Sequence, residues 1–125
     1  MESPKPASTQ NADQPKPAGW GIAITAYIFM VGCLIGMSMN SDARTEFGRF
    51  HLRQAFLFHL FFHTMLIFLY FLEKKYLFDL SLTRLMLILV YLALLFFGFI
   101  SVANKKKSSL PGIGDRPQKW FTFIP

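Results

Sequence analysis

The sequence predicts an all-α membrane protein: three transmembrane helices, an interfacial C-terminal segment and a disordered N-terminal tail. Three observations carry this. Apolar residues make up 53 % of the chain and fifteen of them are Phe, more apolar surface than a soluble chain this short can bury. Charged residues make up only 16 %, against roughly 25 % in soluble domains. The basic residues behind the net charge of +6 sit in short clusters between apolar runs, as at the edge of an anionic bilayer. No basic stripe with interleaved aromatics stands outside those runs, so a nucleic-acid partner is excluded.

Residues 1–17 hold Pro4, Pro6, Pro15 and Pro17 among polar residues without apolar periodicity, the composition of a disordered tail. The first apolar run, 20–39, carries no charge and matches the roughly twenty residues of one bilayer crossing. No basic stretch abuts it and no small-residue exit follows it, so it reads as a retained helix and not as a cleaved signal. Gly32 and Gly36 form a GxxxG step with Asn40 on the same face one turn later, a surface for close helix packing. The single cysteine, Cys33, lies in this run and reads as a small buried thiol.

The polar stretch from Ser41 to Gln54 becomes the first turns of a second helix, over 52–72, closed by Glu73, Lys74 and Lys75. Asp42 and Glu46 are expected to pair with Arg44, Arg49 or Arg53. An amphipathic link leads to a third helix over 85–103, stopped by Asn104 and three lysines. The segment 108–125 is too short and too broken by Pro and Gly to cross. Its Trp120, Phe121, Phe123 and Ile124 place it on the membrane surface. Because backbone polar groups in hydrocarbon must be paired internally, and these runs lack barrel-like alternation, each is a helix.

Three crossings put eight Lys and Arg (Arg44, Arg49, Arg53, Lys105–Lys107, Arg116, Lys119) on the side of the first loop and C-tail. Five (Lys5, Lys16, Lys74, Lys75, Arg84) lie on the other. The positive-inside rule then predicts an outside N-terminus and a cytoplasmic C-terminus in a bacterial inner membrane.

Chemistry-bearing residues are few. His59 and His63 are four apart on the second helix, and Arg49, Arg53, Phe56, His59, His63 and Tyr70 fall on one helical face. This predicts an intramembrane polar stripe of His59, His63 and Tyr70 that faces protein. His51 and Gln54 lie on another face, placed to bond each other or the C-terminal segment. A metal site needs about four ligands, and only Cys33, Met30 or Met37 could add to the His pair, for a soft ion such as Cu(I). Neither a metal nor a cofactor is therefore expected. There is no nucleophile–base constellation, paired carboxylate, phosphate loop or dinucleotide fingerprint, so no enzyme activity is expected.

The blocks TEFGRFHLRQA (Thr45–Ala55) and LPGIGDRPQKWFTFI (Leu110–Ile124), at this spacing around the helices and with Gly98 and Ala103 late in the third, carry a resemblance. The chain resembles small bacterial membrane proteins labelled "import component protein". These are distantly similar to the twenty-kilodalton subunit of the chloroplast inner-envelope protein import apparatus. That subunit has four helices; here three are read. The resemblance implies a non-enzymatic subunit of an inner-membrane assembly, accessory to protein translocation or insertion, with the bilayer and other integral membrane subunits as partners. Arg49, His51, Arg53 and Gln54, with the Pro111–Gly114 turn, are expected to form partner or lipid docking machinery that pins the C-terminal segment. The alternatives are a small oligomeric channel or transporter using the His59/His63 stripe and, third, a haem- or copper-binding membrane protein.

Overall fold

The computed structural model describes residues 15–77, 79–108 and 115–125. All regular elements among them are helices: α1 Trp20–Ala26, α2 Phe29–Ala43, α3 Glu46–Tyr76, α4 Ser81–Ala103 and α5 Arg116–Trp120. Two of them, α3 and α4, are long and apolar enough to cross a membrane. Only 22 % and 28 % of their most apolar stretches are buried, unlike the core helix of a soluble protein. Leu60, Phe61, Ile67, Phe68 and Phe71 on α3 and Leu85, Leu89, Phe96 and Phe99 on α4 all face outward.

The first apolar run does not form one helix. It breaks at Tyr27–Ile28 and folds back, so α1 and α2 make an antiparallel hairpin. Gly32 lies against Thr25 and Gly36 against Ile22: an added Cβ would collide with the Thr25 carbonyl oxygen at one and stand 3.3 Å from the Ile22 carbonyl oxygen at the other. The two glycines thus join the two halves of their own hairpin, and Gly36 also meets Leu52 of α3. The turn is costly. Phe29 sits at φ 51°, a left-handed conformation that disfavours an L side chain by about 1–2 kcal/mol.

This corrects the three-crossing reading. Twenty uncharged residues are long enough to cross, but here they turn back on themselves. The start of α1 therefore meets the end of α4: Trp20 Nε1 donates to the Val102 carbonyl at 3.0 Å. We call this end of the bundle the foot. The hairpin tip reaches the middle of α3 and α4, where Phe29, Met30, Phe62, His63 and Tyr91 border one cavity.

At the far end Leu77 caps α3 in a left-handed conformation and α4 starts at Ser81. Glu73 accepts from the Leu80 amide at 3.1 Å and pairs with Arg84. Asp79 accepts from the Ser81 hydroxyl and amide, and these bonds hold its carboxyl below the usual carboxylate range. The core lies between the hairpin and the foot halves of α3 and α4, around Ala23, Ala26, Leu52, Ala55, Phe58 and Val102. The tail reading over residues 1–14 and the Pro111–Gly114 turn fall outside the described residues.

Candidate functional site

The polar side chains converge on the foot and on the hairpin tip, and each is anchored by helix geometry. His51 and His59 are eight apart on α3, about two turns, and both face the hairpin, fully buried. They make the same connection twice. His51 Nε2 lies 2.9 Å from the Lys106 carbonyl and its Nδ1 3.0 Å from the Tyr27 hydroxyl. His59 Nε2 lies 3.0 Å from the Ala26 carbonyl and its Nδ1 2.7 Å from the Tyr91 hydroxyl. A carbonyl only accepts, so Nε2 carries the proton in each neutral ring and Nδ1 accepts from the tyrosine. Each histidine thereby ties a tyrosine outside α3 to a carbonyl at or beyond a helix end: Ala26 where α1 ends, Lys106 just past α4. Ser101 Oγ donates to the same Lys106 carbonyl at 2.9 Å.

The expected stripe is therefore not one surface. His59 belongs with His51 on the buried face, while His63 and Tyr70 are exposed. His63 Nδ1 bonds its own helix, at the His59 carbonyl. The two histidines do not point at a common centre, since both ring nitrogens of His59 are engaged. Among the described residues no three of His, Cys, Asp or Glu converge.

Arg53 is the clamp on the C-terminal segment. Its guanidinium donates to the carbonyls of Gln118 at 2.9 Å, Thr122 at 3.2 Å and Ile124 at 3.1 Å. The carbonyls around Pro111–Gly114 fall outside the described residues. Gln118 Nε2 answers with a bond to the Phe50 carbonyl at 2.8 Å, and Phe56 packs edge-on against Phe121 and Phe123. Ile124 and Pro117 are buried. The segment read as lying on the membrane surface is docked on α3, with Trp120 and Phe123 outward.

Gln54 is buried, but its side-chain Nε2 finds no acceptor among the described residues. Arg49 sits half-buried on the neighbouring turn, its Nε likewise unpaired. Glu46 pairs with Lys107 at 2.7 Å and not with the expected arginines, because the turn after α4 brings the lysine to the start of α3.

Asn40 joins everything at the foot, a role the sequence reading missed. Its Oδ1 accepts from the Thr45 amide at 3.0 Å, and its Nδ2 donates to the Thr45 carbonyl at 3.2 Å and the Pro125 carbonyl at 2.7 Å. The available signal was an Asn on the Gly32–Gly36 face at a helix end. No protein-family model, curated protein or solved structure matches the chain.

Proposed function

We propose that the chain is a non-enzymatic integral subunit of a larger assembly in the bacterial inner membrane, accessory to protein translocation or insertion. The observation that carries this is how the buried polar side chains are used. Asn40, His51, His59 and Arg53 spend their hydrogen-bonding capacity on the chain's own backbone and tyrosines, which suits a fixed shape and leaves little for a substrate. From Leu60 to Phe71 on α3 and from Leu85 to Ile100 on α4 the outward faces are mostly apolar, available to lipid and to neighbouring helices. The resemblance at Thr45–Ala55 and Leu110–Ile124 supports translocation as the setting.

The folded-back hairpin also changes the orientation. Both flanks of the bundle leave from the foot, and of the twelve Lys and Arg among the described residues only Lys74, Lys75 and Arg84 belong to the far end. Nine against three is a stronger bias than eight against five, and it favours a cytoplasmic position for both flanks. Cysteines placed at Ala18, Lys106 and Ser81 in a Cys33→Ala background test this with an impermeant label on intact cells. Ser81→Cys alone should react; reaction at Ala18→Cys would overturn the orientation. For the role itself, photo-crosslinkers at outward positions such as Phe96 should yield discrete adducts with integral translocation or insertion components. Depletion should slow export or insertion of a reporter. Normal reporter kinetics on full depletion would reject the reading.

A further inference from the structure

We propose that a furrow between α3, α4 and α5 holds one acyl chain of an anionic phospholipid, with the lipid phosphate on Arg116. The proposal rests on the membrane reading above. A cavity of about 280 Å³ is lined by Leu57, Phe58 and Phe61 of α3 and Leu94 of α4, with Arg116 and Trp120 of α5 alongside. A second pocket of only about 10 Å³ shares Phe58, Phe61 and Leu94 and lies toward Leu87 and Val90. The apolar lining is therefore continuous along the crevice between the two long helices.

Its direction suits a lipid tail. The Gln118 bond to Phe50 fixes α5 beside the first turns of α3. Phe61 lies about 16 Å farther along the helix at 1.5 Å per residue, about half of a 30 Å hydrocarbon core. The furrow thus runs through one leaflet, from an arginine and a tryptophan at the headgroup level to the middle of the bundle. Tryptophan prefers that level, and the planar guanidinium matches a phosphate with two parallel donors. Arg116 is exposed and forms no ion pair among the described residues. Lys119, three residues on, adds a second positive charge, set against the single carboxylate of Asp115. The mouth is net cationic, which favours a headgroup without a cation of its own. A helix from another protein, about 10–12 Å across, needs far more room than this volume offers.

The test uses the full chain in nanodiscs of equimolar phosphatidylglycerol and phosphatidylcholine, with native mass spectrometry of the lipid retained on release. One lipid should stay bound, with phosphatidylglycerol preferred about tenfold, the ratio that 1.4 kcal/mol supports. Arg116→Gln should keep a lipid but bring the preference near parity. Leu94→Trp should fill the furrow and abolish retention, and Leu57→Trp does the same from the other wall if that variant fails to fold. Equal retention of both lipids by the wild type, or a preference untouched by Arg116→Gln, overturns the proposal. Failure of the wild type to enter the nanodisc at all would instead remove the membrane reading, and this proposal with it.

Discussion

Replacing Arg53 by Ala should release the C-terminal segment from the bundle, and the size of the effect follows from three bonds. The Gln118 bond is short and half-buried, the Ile124 bond slightly longer, and the Thr122 bond exposed and near the distance limit. Charge-assisted bonds contribute about 1.5–3 kcal/mol when well formed and neutral ones about 0.5–1.5. Weighting the three by exposure gives together about 3 kcal/mol. Freeing the arginine's rotamers returns up to about 2 kcal/mol. The net loss is about 1–3 kcal/mol, or about 5- to 150-fold in the undocked fraction. Amide hydrogen exchange in nanodiscs measures it directly. The Phe121 amide bonds Pro117 and the Ile124 amide bonds Phe121, so both exchange faster by that factor when the segment opens more often. Arg53→Lys should fall between, since a single ammonium cannot span three carbonyls. Unchanged exchange in Arg53→Ala, with faster exchange in Ile124→Ala, would refute the reasoning: burial of Ile124 and not the guanidinium would then hold the segment.

Gly98→Ala should destabilise the bundle strongly, because the added Cβ would stand well inside contact distance of the Tyr27 ring; a thermal midpoint in detergent equal to wild type would show that the ring moves aside freely. His59→Phe removes two bonds and strands the Ala26 carbonyl and the Tyr91 hydroxyl, so it should cost near the top of the range of about 1–3 kcal/mol for stranded buried groups, whereas Tyr91→Phe strands only the His59 Nδ1 and should fall near the bottom of it. Equal losses for the two variants in denaturant titrations would place the energy elsewhere. Asn40→Ala should cost about 2 kcal/mol or more, the range for stranding buried partners, and should raise exchange at both Thr45 and the C-terminal segment. An effect confined to Thr45 would show that the Pro125 contact contributes nothing.

The helical class and two of the three long elements were readable from the sequence, because apolar runs bounded by charges mark α3 and α4 closely. The first run was misread for a physical reason. Apolarity over 20–39 satisfies hydrocarbon equally whether the chain crosses or turns back, and neither Pro nor a Gly pair marks Tyr27–Ile28. The discriminating pattern was small residues on both halves, Ala23 and Ala26 buried on one and Gly32 and Gly36 set close to its backbone on the other, which lets a segment pack on itself. Arg53 was legible as an anchor of the C-terminal segment because a guanidinium demands acceptors at that depth, whereas His51 bonds Tyr27 and Lys106 instead. The carbonyl acceptors were not legible, since a backbone carbonyl leaves no mark in the sequence. His59 was tied to His63 by the four-residue spacing, although the spacing to His51 is the one the tertiary packing uses.

The hairpin has a consequence for the order in which the molecule can be made. Ala26 is where α1 stops, and its carbonyl is satisfied by His59 while Tyr91 holds the histidine. An uncapped carbonyl in hydrocarbon is expensive. Residues 20–43 leave the ribosome before α3 and α4 and have no comfortable resting place until those helices are in position. The same holds at the foot, where Asn40 waits for residue 125. Nascent chains halted before α4 should keep residues 20–43 in the care of a chaperone or insertase, so that this earlier segment settles only after α4 has formed.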